Sequence, residues 1–138
     1  MSVSKRSSAG LSVSKPRLTP SEREVERAIL QWLNYQPRCK AWKNKSTGTY
    51  DPVRKCFRRS NDPYSQKGSA DILGIWNGKM LCIEVKSAKG RLTPEQKEFL
   101  SAMSSLGAIC LVARNLQQVV DAFAEIVGTS NSGQTGFC

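Results

Sequence analysis

Two acidic residues and a lysine lie where a short hairpin would bring them together. Two β-rich runs flank Asn77-Gly78, which is the strongest short hairpin signal. If this pair forms a two-residue loop, Asp71 faces Glu84 across the hairpin. Lys86 follows Glu84 by two positions, so it projects from the same face of the sheet. The turn chemistry alone therefore predicts a cluster of two carboxylates and one ammonium group at the open end of the hairpin.

Two carboxylates that face each other across neighbouring strands repel each other. In a half-buried sheet this repulsion has a high free-energy cost, because little water is present to screen the charges. One carboxylate can stay protonated, Lys86 can neutralise the pair, or a divalent cation can lie between them. Mg²⁺ prefers oxygen ligands and keeps waters that a phosphate can displace. A lysine beside such an ion can orient or deprotonate a water, or stabilise the charge that develops at phosphorus. The pattern is typical of metal-assisted phosphodiester hydrolysis.

The composition narrows the chemistry further. The 138 residues include 21 Lys and Arg against 11 Asp and Glu, a net charge of +10, and no histidine. This balance predicts a polyanionic partner, with nucleic acid first and an anionic membrane second. Histidine-based catalysis and His-ligated zinc are excluded. The five cysteines form no C-x-x-C pair, and their odd number without a signal peptide predicts an intracellular protein. No apolar run is long enough to span a bilayer.

The cluster needs elements to position it, and the chain supplies them in the order αβββαβα. Composition predicts a disordered basic tail over 1–17, a folded domain over 18–127 and a polar tail over 128–138. Thr19-Pro20 with Glu22 predicts the capped start of a first helix that ends before Pro37. The basic segment 38–60 is predicted to form two strands joined by an irregular turn.

Both faces of the predicted hairpin are apolar, so helices should cover the sheet on both sides. The aromatic residues Trp42, Phe57 and Trp76 are expected in the core rather than on a base-stacking surface. Thr93-Pro94 with Gln96 predicts a second capped helix. A short buried strand over 108–113 and a third helix from about position 115 complete an α/β domain with a mixed central sheet.

The order of three motifs gives the chain a family resemblance. GSADILG, which contains Asp71, is followed by IEVK, which contains Glu84 and Lys86, and then by GRLTPEQ. This arrangement resembles the PD-(D/E)XK nucleases, and the wider sequence over residues 20–125 resembles their VRR-NUC (virus-type replication-repair nuclease) branch. One departure is that Ala70 occupies the proline position of the PD element.

The resemblance implies a restriction-endonuclease-like αβββαβ core and a set of site residues. Asp71 and Glu84 would bind Mg²⁺ or Mn²⁺ with the backbone carbonyl of Val85. Lys86 would act on the nucleophilic water. Further implied catalytic residues are Gln96 and Glu22, with Glu26 as the alternative helix acid.

The resemblance also implies a substrate and an assembly. Stand-alone members are similar to homodimeric, structure-selective endonucleases that cut four-way (Holliday) junctions, without a small-molecule cofactor or membrane partner. They would act in the cytoplasm, or in a host cell when encoded by a phage or virus. The residues expected to contact DNA are Lys43, Asn44, Lys45, Arg54, Lys55, Arg58, Arg59 and Lys67.

Two alternatives stay open at the level of sequence. The chain could be a non-catalytic basic module that binds nucleic acid, with structural carboxylates. It could also be a nuclease of the same fold that acts on flaps or RNA, because proteins that contact the backbone recognise shape more than base identity.

Overall fold

A computed structural model describes residues 19–45, 49–58 and 62–134. The predicted tail over 1–17 and Arg59 lie outside the described residues. The elements in chain order are α1 (Glu22–Tyr35), β1 (Cys39–Lys43), β2 (Thr49–Asp51), β3 (Cys56–Arg58), β4 (Ile72–Trp76), β5 (Lys79–Val85), α2 (Pro94–Ser105), β6 (Ile109–Ala113) and α3 (Leu116–Gln134).

Four strands form the central sheet in the order β1-β4-β5-β6. The β5–β6 pair is parallel and the other two pairs are antiparallel, so the sheet is mixed as predicted. The expectation of two strands over 38–60 is wrong, because β1, β2 and β3 all form there. The reason is that β1 pairs with β4, with Cys39 opposite Trp76, whereas β2 and β3 pair with each other as a separate hairpin.

The β4–β5 hairpin has the register that its turn predicts. Asn77 and Gly78 take the left-handed backbone conformation, with φ of 51° and 80°. Asn and Gly tolerate this conformation, which a two-residue hairpin turn requires. Trp76 therefore faces Lys79, and the ladder continues to its last pair, Ile72 with Ile83.

Helices cover both faces of the sheet, as the apolar pattern of β4 and β5 predicts. On one face, α1 and α3 pack against β4 and β5. The largest fully buried apolar side chains of this cluster, from the helices and the strands together, are Ile29, Leu33, Ile72, Leu81, Ile83 and Val119. On the other face, Phe99 and Leu100 of α2 pack against Cys82. The fold is thus an α/β domain in which α2 covers the face that carries Glu84.

Helix α1 begins two residues later than the sequence predicts. Ser21, not Thr19, is its N-cap, and the partner in the capping box is Glu24 rather than Glu22. The Ser21 backbone N–H donates to the Glu24 carboxylate at 2.7 Å, and the Ser21 hydroxyl accepts from the Glu24 N–H at 3.3 Å. Since Glu24 satisfies the cap, the Glu22 carboxylate is free for another role. The helix ends at Tyr35, before Pro37, as predicted.

Helix α3 extends beyond the position where polar composition predicts a tail. It continues past Gly128 to Gln134, so the first part of the predicted polar tail is helical. The Thr129 hydroxyl donates to the Glu125 carbonyl at 2.9 Å, which shows how a polar side chain is accommodated within the helix. None of the helices in the described ranges is long and apolar enough to cross a membrane.

Gly74 in β4 allows the edge strand β1 to approach closely. A Cβ at Gly74 would lie 2.6 Å from the Lys40 carbonyl oxygen of β1, a backbone atom. We expect Gly74→Ala to destabilise the protein by about 1–3 kcal/mol, because β1 must shift. A Cβ at Gly128 meets nothing within 4 Å, and alanine favours a helix, so Gly128→Ala should stabilise by about 0.5–1 kcal/mol. Urea denaturation measures the change in the free energy of unfolding for each variant. Equal midpoints for the two variants would contradict the close approach.

Candidate active site

Asp71 is held at the entrance to β4 by the residue that follows β1. The Asn44 N–H donates to the Asp71 carbonyl oxygen at 2.8 Å. The Asn44 side-chain amide donates to the Ser69 hydroxyl at 2.8 Å and to the Ala70 carbonyl at 3.0 Å. Ala70, in the place of the expected proline, is fully buried. Backbone and side-chain contacts therefore fix the position of Asp71 even though the residue lies just before the strand.

The Asp71 carboxylate turns toward β5. Its Oδ2 atom accepts the Val85 N–H at 2.9 Å, just beyond the last ladder pair of the hairpin. Asp71 is also close enough to Glu84 to affect the Glu84 carboxyl group electrostatically. The structure thus brings the two predicted carboxylates together at the open end of the hairpin.

Glu84 is the buried acid of the cluster, with only 2% of its surface exposed. Its Oε1 atom accepts a hydrogen bond from the Gln96 side-chain amide at 2.8 Å and lies 3.7 Å from Lys86 Nζ. Its Oε2 atom is buried and has no hydrogen-bond partner among the described residues. A buried carboxylate oxygen without a partner is costly, so this atom is the natural contact point for a cation, a water or a proton.

Burial raises the pKa of Glu84 to about 8, and the neighbouring Asp71 carboxylate adds to the increase. Lys86 acts in the opposite direction and lowers the pKa. Removal from water disfavours the charged form, and one nearby ammonium group does not compensate. Without another cation, this raised pKa favours the protonated form of Glu84.

Gln96 combines the two roles that the sequence predicts, as a helix-capping residue and as a residue of the site. Its Oε1 accepts the Thr93 N–H at 2.9 Å, while its backbone N–H donates to the Thr93 hydroxyl at 3.2 Å. This capping box starts α2 as predicted. The amide nitrogen of the same side chain donates to Glu84. The helix cap therefore fixes the side chain that orients the buried carboxylate.

Glu22 contacts the segment that follows Lys86. Its Oε1 accepts the Ser87 N–H at 2.7 Å, and Arg114 Nη1 donates to the Ser87 carbonyl oxygen. Glu26, the alternative acid, forms an ion pair with Lys43 at 3.0 Å. Glu22 is thus the acid beside the Lys86 backbone. Arg114 is absent from the sequence predictions, because no local pattern links it to a residue so distant in the chain.

The residues predicted to bind DNA have different surroundings. The Asn44 amide is used inside the protein, and Lys43 is paired with Glu26. Arg58 lies 3.6 Å from Asp51. The remaining described residues of this set are exposed: Lys45, Arg54, Lys55 and Lys67.

The aromatic residues contradict part of the core prediction. Trp76 is buried and stacks on Phe123 with ring centroids 3.9 Å apart, as a core residue should. Trp42 is 44% exposed and Phe57 is 66% exposed. The prediction fails for Trp42 because it lies on the edge strand β1, and for Phe57 because β3 belongs to the separate hairpin.

The acidic cluster has too few side-chain ligands to complete a metal site by itself. Within the described ranges, no group of three or more Asp, Glu, Cys or His side chains is arranged to hold a metal ion. A metal at Asp71 and Glu84 would need further oxygen ligands from the backbone, water or substrate. The backbone of Val85 is suitably placed, because its N–H already points toward Asp71, and a strand residue directs its N–H and C=O to the same edge.

Comparison with known proteins shows that this chain resembles a solved structure in its fold. No family model and no curated protein matches the chain. A solved structure described as a VRR_NUC domain protein matches with a TM-score of 0.51 and 18% sequence identity, over 77% of this chain and 87% of that chain. The chain therefore has the fold that the sequence resemblance implies.

Proposed function

We propose that this protein is a metal-dependent nuclease that hydrolyses phosphodiester bonds in branched DNA. The observation that carries the proposal is the buried Oε2 of Glu84, next to Asp71 and Lys86, which accepts no hydrogen bond from any residue that the structure describes. Burying these charged groups has a free-energy cost that a purely structural role does not explain. The fold shared with a VRR_NUC domain protein supports the same chemistry.

The residues present fit a divalent cation. Asp71 and Glu84 would supply carboxylate oxygens, and Val85 would supply a backbone carbonyl, which are the ligand types that Mg²⁺ and Mn²⁺ accept. When bound, the ion would polarise the scissile phosphate and lower the pKa of a water. The unpartnered Oε2 gives it an oxygen that no described group uses.

The protein groups around the carboxylates have positioning and proton-handling roles. Gln96 fixes one oxygen of Glu84 and leaves the other open. Lys86 Nζ, 3.7 Å from Glu84, is placed to hold the attacking water or to stabilise negative charge at the phosphate. Glu22 anchors the Ser87 N–H and so restrains the backbone that carries Lys86.

The charge of the chain supports DNA as the substrate. The net charge is +10, and exposed cations lie on the segment that joins β1 to β4, at Lys45, Arg54, Lys55 and Lys67. These side chains can contact phosphates without reading the sequence. Cutting two opposed strands of a four-way junction requires two active sites, so we expect the nuclease to act as a homodimer.

Cleavage of a labelled four-way junction tests the proposal. With Mg²⁺ or Mn²⁺ we expect symmetric nicks on opposed strands, no product in EDTA, and slower cleavage of a linear duplex of the same sequence. A flap and an RNA hairpin in the same panel identify the preferred substrate. Salt-sensitive binding of every DNA without a metal-dependent product would instead identify a non-catalytic nucleic-acid-binding module. Light scattering at micromolar concentration tests the dimer separately.

A further inference from the structure

The β2–β3 hairpin exposes a pair of aromatic rings. Tyr50 and Phe57 face each other across the hairpin, and their ring centroids are 5.3 Å apart at an interplanar angle of 62°. Tyr50 is 52% exposed and Phe57 is 66% exposed. The main packing contacts of β2 and β3 are with each other, and neither ring belongs to the two core clusters. The rings therefore contribute little to the described core.

The hairpin that carries this aromatic pair also carries three cations. Arg54 and Lys55, in the turn of the hairpin, are exposed. Arg58, next to Phe57, has 53% of its side chain exposed and lies 3.6 Å from the one acid of the hairpin, Asp51. Exposed aromatic rings on a positively charged hairpin suit a partner with flat rings and negative charge. Nucleotides have both features, and single-stranded nucleic acid is bound by this combination of stacking and cationic contacts.

The segment that carries the hairpin begins beside the candidate active site. The segment containing β2 and β3 connects β1 to β4, whose neighbouring ends pair Lys43 with Ile72. Asn44, the first residue of that segment, donates its N–H to the Asp71 carbonyl oxygen. A DNA strand held at the hairpin is therefore held by a segment that begins at the site.

We propose that Tyr50 and Phe57 form a stacking platform for unpaired bases of the DNA substrate. An aromatic side chain can stack only on a base whose flat face is exposed. In a continuous duplex the neighbouring base pairs cover these faces. Single-stranded arms and branch points expose them. This inference rests on the proposed function for its choice of DNA, and it adds the structural feature of the DNA by which the protein would select a substrate.

Binding in EDTA tests the platform without any cleavage. We expect the double variant Tyr50→Leu/Phe57→Leu to lose about tenfold or more in affinity for a single-stranded oligonucleotide and for a duplex with a single-stranded arm. Its affinity for a fully paired, blunt-ended linear duplex should stay within about twofold. Leucine keeps an apolar side chain at both positions, so the change isolates the aromatic ring. Fluorescence anisotropy at fixed salt gives the three affinities.

Two further variants separate stacking from charge. Tyr50→Phe/Phe57→Tyr keeps both rings and should bind all three DNAs as the wild type does. Arg54→Ala/Lys55→Ala should weaken all three to a similar extent and reduce the salt dependence of binding. An equal loss for all three DNAs in the leucine variant would overturn the proposal. Unchanged DNA binding with a smaller mass in light scattering would also overturn it, and would assign the rings to a protein interface. Because EDTA removes cleavage from the assay, these results are independent of whether the protein is a nuclease.

Discussion

Glu84→Gln is expected to reduce metal-dependent cleavage of a four-way junction by on the order of 10³-fold, while binding of the junction is retained. Metal-ion stabilisation of a transition state contributes several kcal/mol, and each 1.36 kcal/mol corresponds to a tenfold change in rate. Glutamine has the shape of glutamate and keeps an oxygen for the Gln96 amide. It removes the negative charge that would bind the cation beside Asp71. Removing one negative charge should leave DNA affinity equal or slightly higher.

Glu98→Gln is the matched control. It makes the same chemical change at an exposed position on α2, and we expect wild-type cleavage. Asp71→Asn should resemble Glu84→Gln, because asparagine still offers an oxygen to the Val85 N–H. Single-turnover rates with excess protein separate cleavage from binding. If Glu84→Gln cleaves at the rate of Glu98→Gln, the metal-dependent mechanism at this cluster is wrong.

The metal-free protein should become less stable as the pH rises from about 5 to about 8. Burial and Asp71 raise the pKa of Glu84 to about 8 in the folded state, whereas an unfolded glutamate has a pKa of about 4.3. The folded protein therefore binds the proton over a pH range in which the unfolded chain has lost it. This stabilisation is complete below the unfolded pKa and is lost as the pH passes the folded pKa.

The composition makes this pH dependence unusually easy to assign. The chain has no histidine, so few other groups change charge between pH 5 and pH 8. Thermal unfolding in EDTA should show a melting temperature that falls across this range. The decrease should be smaller in Glu84→Gln and unchanged in Glu98→Gln. A melting temperature in the wild type that stays constant or rises would contradict the assignment.

Added metal should oppose this loss of stability. A cation binds the deprotonated carboxylates, and a ligand that binds only the folded state raises its stability. We expect Mg²⁺ or Mn²⁺ to raise the melting temperature more at pH 8 than at pH 6. Glu84→Gln should show little of this increase. An equal increase in the wild type and the variant would place the metal elsewhere.

The central hairpin and its acidic cluster could be predicted from sequence because their determinants are local. Asn77-Gly78 adopts the backbone conformation of one turn type, and that turn sets the register as far as Ile72 and Ile83. The register and the alternation of side chains then bring Glu84 and Lys86 to the end of β4, where Asp71 lies. The capping box of Thr93 and Gln96 is equally local.

Competing local signals explain the errors. Thr19 and Ser21 are both good N-caps, and the contacts of the folded chain select Ser21 with Glu24. The segment 38–60 has strand-forming residues throughout, but local pattern does not say which strand pairs with which. Because β1 joins β4, the β2–β3 hairpin is separate and Phe57 is exposed.

Local sequence signals were enough to predict the α/β class, the register of the central hairpin and the residues that form the acidic cluster. Long-range packing was needed to bring Glu22 to the Ser87 N–H, to place Asn44 at the entrance to β4, and to bury Oε2 of Glu84 without a hydrogen-bond partner among the described residues. The physical reason is sequence separation. Turns and caps depend on residues a few positions apart, whereas burial and the contacts between α1, β1 and β5 exist only after distant segments have packed together.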